Sequence, residues 1–257
     1  MIGGEDKTIK IWDTNNGIVM QTLYVHTGWI WDLIAIDDNC LISASADKII
    51  NIWNINEGTL INTLSFHIGN VLALLMLDNS DLAIGLFDST IKIWNIHNGR
   101  VKKTLTGHTG AVGSFVLLKN GDLVSGSWDH TIKVWDIESG VVKKTLTGHT
   151  WYVRSLALLE NGDLVSGSYD KSIKIWNIED GSVKRILTGH TDYVFALQQL
   201  ENGDIVSASG DGTIKIWVAE NGTVKKNINV NSRINSFEVL PNGNLVSASY
   251  RSIIIWD

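Results

Sequence analysis

The chain has 257 residues, a hydrophobic fraction of 44%, a charged fraction of 19% and a formal net charge of −6. Those proportions are those of an ordinary globular protein, and the acidic balance lacks the basic excess that a nucleic-acid surface needs. The single cysteine, Cys40, excludes an internal disulfide framework, and no apolar run approaches the ~20 residues of a membrane span. An intracellular protein, cytoplasmic or nuclear and not bound to membrane, is the expectation.

Residues 1–12 open partway through a unit that then repeats along the chain. Aligned on Trp12, Met1 falls where Val124 stands later, so the first unit is expected to lack its innermost strand and most of its second. Five full units follow. In the clearest of them Thr147 leads into TGHTWYVRSLALLENGDLVSGSYDKSIKIWN, almost a copy of the stretch that begins at Thr106. The units end at Trp12, Trp53, Trp94, Trp135, Trp176, Trp217 and Trp256, with 41 residues between the first six and 39 in the last step.

Within a unit, Val153–Leu158, Asp163–Ser168, Ser172–Trp176 and Ser182–Leu187 read as four short strands joined by turns rich in Asn, Asp and Gly. Ile, Val, Leu and Trp on both strand faces suit sheets packed against neighbours on either side. The last unit lacks the Gly-His pair, is one residue short before its tryptophan, and stops at Asp257 without an outer strand. A truncated chain or gene fragment is the preferred reading of those two ends.

A period of about 40–45 residues, Gly-His early and Trp-Asp late, resembles the WD-repeat (WD40) family. The resemblance covers essentially the whole chain and implies an all-β β-propeller of four-stranded antiparallel blades over residues 1–257 as a single domain. Seven blades, the first and last incomplete, is the main expectation. A six-bladed ring whose last blade is completed by N-terminal strands is the alternative.

Four polar or aromatic residues keep a fixed phase: His26, Ser43, Asp47 and Trp53; His108, Ser125, Asp129 and Trp135; His149, Ser166, Asp170 and Trp176; His190, Ser207, Asp211 and Trp217. One such set alone would suggest a catalytic triad. Four copies argue instead for a structural hydrogen-bond chain of imidazole, hydroxyl, carboxylate and indole, and they resemble the structural tetrad of WD-repeat propellers. Ile84 replaces the serine beside His67, Asp88 and Trp94; the last unit keeps only Ser247 and Trp256, and the first only Asp6 and Trp12. Both ends are therefore expected to fray first.

The family resemblance also implies a binding face made by the third and fifth residues after each repeat histidine and the residue before each repeat aspartate. Mapped here, that set contains Trp29, Trp31, Phe87, Trp128, Tyr152, Arg154, Tyr169, Tyr193, Phe195, Arg233 and Tyr250. Trp, Tyr and Arg dominate binding hot spots. The resemblance implies a non-catalytic scaffold that binds a protein or peptide as a monomeric propeller within a hetero-complex, with no cofactor and no metal. A phosphopeptide-binding substrate receptor of a ubiquitin ligase is the alternative within that class. An enzyme using the central channel would need titratable groups outside the repeat, and only His97 and His130 lie off-pattern. The pairs Lys102-Lys103, Lys143-Lys144, Lys184-Arg185 and Lys225-Lys226 read as protection of exposed edge strands, with nucleic-acid binding as the other reading.

Overall fold

The structure, a computed structural model, describes residues 2–3, 6–14, 16–65, 69–240, 243–249 and 253–256, with the side chains of residues 2, 3 and 65 excepted. All of its regular structure is β. The first sheet holds β1 (Ile2–Gly3), β2 (Thr8–Asp13) and β3 (Ile18–Tyr24). The second holds β4 (Ile30–Ala35), β5 (Cys40–Ser45), β6 (Ile49–Asn54) and β7 (Thr59–Ser65), and the third β8 (Val71–Met76), β9 (Asp81–Leu86), β10 (Ile91–Asn95) and β11 (Arg100–Leu105). The fourth comprises β12 (Val112–Leu117), β13 (Leu123–Ser127), β14 (Ile132–Asp136) and β15 (Val141–Leu146). The fifth comprises β16 (Val153–Leu158), β17 (Leu164–Ser168), β18 (Ile173–Trp176) and β19 (Val183–Leu187). In the sixth are β20 (Val194–Gln199), β21 (Ile205–Ser209), β22 (Thr213–Trp217) and β23 (Val224–Asn229), and in the seventh β24 (Ile234–Val239), β25 (Leu245–Ser249) and β26 (Ile253–Trp256).

Each sheet is a meander in chain order, so every strand pairs with its sequence neighbour. The expectation of seven blades is borne out in part: among the described residues five sheets have all four strands, and the first and last have three each. The six-bladed alternative shares those five complete sheets, and among the described residues β1–β3 and β24–β26 form separate sheets.

The tight turn between second and third strands is built the same way each time. The residue after the repeat aspartate takes a left-handed backbone at Lys7 (φ 66°), Lys48 (φ 69°), Ser89 (φ 73°), His130 (φ 71°), Lys171 (φ 72°) and Gly212 (φ 78°). Only the last is a glycine, so the other turns accept the steric cost of a side chain there.

The chain divides into two compact units, residues 1–113 with 138–141, and residues 114–137 with 142–257. In the first, cores lie between consecutive blades. Ile9, Leu23, Ile30, Leu41 and Trp53 join blades one and two, and Ile42, Ile50, Val71, Leu74, Leu82 and Trp94 join blades two and three. In the second unit Val124, Ile132, Val153, Leu164 and Trp176 join blades four and five, with equivalent sets centred on Trp217 and on Phe237 beyond them. Both faces of β5, β17 and β21 are thus covered, which explains the absence of polar alternation along them.

Candidate functional site

Each complete tetrad fixes the loop that enters a blade to the turn between its second and third strands. In blade five the Trp176 indole N–H donates to Ser166 Oγ at 2.8 Å, Ser166 Oγ meets His149 Nε2 at 2.7 Å, and His149 Nδ1 meets Asp170 Oδ2 at 2.7 Å. Blade two repeats this through Trp53, Ser43, His26 and Asp47 at 2.8, 2.7 and 2.9 Å, and blade six through Trp217, Ser207, His190 and Asp211 at 2.8, 2.8 and 2.9 Å. In blade four Trp135 donates to Ser125 at 2.7 Å, and His108 is buried. A neutral imidazole satisfies the chain: Nδ1–H donates to the carboxylate while Nε2 accepts the seryl proton, leaving Ser Oγ free to accept from the indole. The aspartate also accepts the backbone N–H of the residue after the histidine, at Thr27, Thr150 and Thr191. The loop before the first strand is thereby held in one position.

The incomplete sets differ as their residues require. Trp256 donates to Ser247 at 2.9 Å, the only link its blade retains of the chain. Trp12, with Ile2 ten residues before it in place of a serine, has a buried indole N–H that finds no partner among the described residues. His67 lies outside the described residues.

The loops so fixed carry the aromatic residues of the second unit. Within a blade, the N–H before the repeat aspartate donates to the carbonyl of the third residue after the histidine: Tyr169 to Tyr152 at 3.0 Å, and Gly210 to Tyr193 at 2.9 Å. That bond sets the two side chains next to each other, and the Tyr152 and Tyr169 ring centroids lie 5.5 Å apart. Between blades, the residue before the aspartate stacks on the third residue after the next histidine. Trp128 stacks on Tyr152 at 4.9 Å and 12°, and Tyr169 on Tyr193 at 4.3 Å and 3°. The two bonding modes alternate into a continuous aromatic ladder.

The ladder ends at Gly210. A Cβ there would stand 2.7 Å from Asp192 Oδ2 and 3.1 Å from Phe195 Cε2, so the space of the missing ring is taken by that carboxylate and that ring. Arg233 occupies the next rung and lies over Phe195, 4.5 Å from its centroid, a cation–π contact. Phe195 itself is 6% exposed. Its assignment as a partner-contacting residue is corrected accordingly: it forms the floor on which Arg233 rests. Tyr169 is half-buried, and burial pushes its hydroxyl above the ordinary tyrosine range against the opposing pull of Arg154 and Arg233.

Trp151, 47% exposed, packs on Tyr152 at 6.0 Å and on Tyr193 at 6.4 Å. It stands second after its histidine, outside the family positions, yet its sequence signal was available, because Gly28, Gly69, Gly110 and Asp192 occupy that place in the other blades. His130 adds a further ring 5.9 Å from Tyr152. In the first unit, Trp29 and Trp31 meet edge-on at 6.0 Å, Trp29 is 47% exposed, and the Trp31 indole N–H is buried without a partner among the described residues. Phe87 is exposed and Arg154 is half-buried, while Tyr250 lies outside the described residues.

The lysine pairs lie on the outermost strands of blades three to six, and their lysines make ion pairs and hydrogen bonds there. The first of each pair reaches a buried carboxylate at the start of its blade's second strand: Lys102–Asp81 at 2.6 Å, Lys143–Asp122 at 2.8 Å, Lys184–Asp163 at 2.6 Å and Lys225–Asp204 at 2.6 Å. In two of the pairs the second residue reaches forward to the next blade. Lys103 donates to the Glu138 carbonyl, and Lys144 to the carbonyls of Ile178, at 2.9 Å, and Glu179. These charges brace the blades from outside.

A cleft of about 740 Å³ at the other ends of blades five and six is lined by Glu160, Lys184, Arg185, Gln199 and Glu220 among others, with no Ser, Thr, Tyr, Cys or His in its wall. Among the described residues no group of three or more His, Cys, Asp or Glu is placed to hold a metal, and no helix is long and apolar enough to cross a membrane.

No curated protein matches the chain. The sequence profile of the family described as WD domain, G-beta repeat matches residues 17–54, 58–95, 99–136, 140–177 and 181–218, more than half of the sequence. Each of those segments carries the outer strand of one antiparallel sheet and the first three strands of the next, ending one residue after a buried tryptophan, and the chain belongs to the WD40 family of β-propeller proteins.

Proposed function

We propose that this protein is a non-catalytic scaffold that binds a protein or peptide partner, as one subunit of a larger assembly, through the aromatic ladder of its second unit. The observation that carries this reading is the run of rings Trp128, Tyr152, Tyr169 and Tyr193, kept partly accessible and flanked by the exposed Trp151 and Arg233. A core has no need of stacked, half-exposed rings at loop ends, whereas a binding surface gains rigid contact area from them at small entropic cost. Trp29 and Trp31 supply a second aromatic patch in the first unit.

Arg233 favours a partner with acidic or phosphorylated side chains. Its guanidinium is exposed and fixed on Phe195, and no carboxylate lies within ion-pair distance among the described residues. A fixed planar fork of donors matches a carboxylate or phosphate. This supports the phosphopeptide-receptor reading as the narrower form of the same function.

The test is affinity capture from cell lysate with the parent protein, a Trp128→Ala, Tyr152→Ala, Tyr169→Ala variant, and a Glu160→Ala, Glu220→Ala control altered at the opposite blade ends. Circular dichroism and thermal unfolding establish that each is folded. The captured set is expected to vanish with the aromatic variant and persist with the control. A set unchanged by the aromatic variant overturns the proposal.

A further inference from the structure

Three successive blades send a long basic side chain toward the turn between the third and fourth strands of the blade that follows. Lys103, Lys144 and Arg185 recur every 41 residues, as do Glu138, Glu179 and Glu220 in the receiving turns. The three stems start alike. A Cβ on Gly140 would stand 3.2 Å from Lys103 Cδ, one on Gly181 3.4 Å from Lys144 Cδ, and one on Gly222 2.8 Å from Arg185 Cδ. The heads end differently. Lys103 donates to the Glu138 carbonyl, and Lys144 to the carbonyls of Ile178, at 2.9 Å, and Glu179. Among the described residues Arg185 makes no hydrogen bond or ion pair, and the matching carbonyls of Ala219 and Glu220 accept none. A compact ammonium suits a pair of carbonyls, whereas the planar fork of a guanidinium is shaped for a carboxylate or phosphate.

The receiving turn between β22 and β23 has changed as well. In blades two to five the tryptophan of the third strand is followed by Asn-Ile or Asp-Ile, but Val218 and Ala219 follow Trp217. Asn177 accepts the Glu179 N–H at 2.9 Å, a bond that a valine side chain cannot make. Ile178 packs on the core between blades four and five, and alanine at position 219 removes most of that side chain from the next wall. The cleft of about 740 Å³ lies here, with Ala219, Glu220 and Arg185 in its wall. Its volume is that of a small-ligand site.

Charge selects the ligand. Asp163 and Asp204 in the wall are paired with Lys184 and Lys225, at 2.6 Å each. Glu160 and Glu220 have no cation within ion-pair distance among the described residues, and stand against the single guanidinium of Arg185. With the two carbonyls, acceptors outnumber donors, and the apolar Leu159, Ile175 and Val218 share the wall. That combination suits a cation carried on a methylene chain.

We infer that the cleft between blades five and six binds a small free polyamine, with a terminal ammonium on the Ala219 and Glu220 carbonyls, where the preceding blade receives the chain's own lysine. Glu160 and Glu220 belong to different blades, so two ammonium groups on one chain reach acceptors that the single ammonium of a partner's lysine does not. The inference is separate from the aromatic ladder, which lies at the opposite blade ends.

The test is calorimetric titration of spermidine into the whole protein, with hydrogen exchange to place it. Spermidine is expected to bind saturably and to slow exchange over residues 218–223. Magnesium chloride at equal ionic strength reports attraction to the acidic molecule at large, and is expected not to reproduce that pattern. Arg185→Lys restores an internal ammonium at unchanged net charge, and is expected to weaken spermidine binding at least about tenfold. It should unfold no earlier than the parent, since it rebuilds the contact of the preceding blade. Ala219→Ile refills the wall and is expected to weaken binding in the same direction, which keeps the test open should one variant fold poorly. Spermidine that binds a folded variant as tightly as the parent overturns the inference, as does absence of binding, magnesium protection of the same residues, or protection confined to other segments. Tighter binding of N-acetyl-lysine methylamide than of spermidine overturns it too, by assigning the cleft to the lysine of a partner.

Discussion

His149 and His190 each lie against a carboxylate, yet both are held below the ordinary histidine range, because burial outweighs the attraction of Asp170 and Asp211. Their neighbours are displaced the same way for a different reason. Burial alone would raise the carboxyls. For Asp170 it is overcome by His149 and by the Ser172 hydroxyl and N–H, which hold that group well below the carboxylate range. For Asp211 the Thr213 hydroxyl, the Thr191 N–H and His190 bring it to about 2. A lowered histidine pKa means that, as pH falls below about 6.5, the unfolded chain takes up protons that the folded chain refuses. Stability is therefore complete above that pH and declines through the window down to the folded values. The aspartates contribute stability present above about pH 4 and lost as pH falls toward their own lowered values. The urea midpoint is expected to be flat above about pH 7, to fall on mild acidification, and to fall again below about pH 4. His149→Asn should shrink the first fall and leave the second largely in place. A midpoint that rises between pH 7 and pH 5 would contradict the neutral-imidazole chain.

Strands four of blades three to six show how charge serves an element here. Asp163 is 8% exposed and accepts from Asn161 at 3.1 Å and from Lys184 at 2.6 Å, while the lysine remains half in water. Lys184→Met removes the stronger donor from a nearly buried carboxylate and is expected to cost on the order of 1 kcal/mol, discounted for the exposed half of the pair. Asp163→Asn should cost a similar amount, and the double variant clearly less than the sum of the two, the signature of a direct pair in a double-mutant cycle. Strict additivity in denaturant unfolding would show that the lysine acts only as a solvated edge charge. The sequence made the strands and their turns legible, because the repeat shows each element several times over. The lysines' role was harder to see, since each partner lies 21 residues earlier and two strands away, and only the register brings them together. The concerted change in blade two, where Cys40 replaces the aspartate and Ile61 the lysine, was the available clue. The aromatic positions were legible one by one through the family resemblance. Their stacking between blades was not, because it depends on where the end of one sheet stands relative to the next.

At the scale of the molecule, an array draws its stability from each unit and from the interfaces between consecutive units. Blades two, five and six have the whole chain from indole to carboxylate, whereas among the described residues the first has an unpartnered Trp12 N–H and the last keeps only the Trp256–Ser247 bond. Packing falls in parallel: Ile253, Ile255 and Trp256 are half-buried, where Ile173, Ile175 and Trp176 are at most 4% exposed. Few buried contacts and unpaired backbone edges mark a segment that opens locally without waiting for global unfolding. Native-state hydrogen exchange should therefore find the slowest amides in β17 and β21, with β2, β25 and β26 faster by at least about tenfold, a local opening cheaper by roughly 1.4 kcal/mol. Equal protection of the terminal and inner blades would mean that the array unfolds as one cooperative body, with the missing tetrads compensated elsewhere.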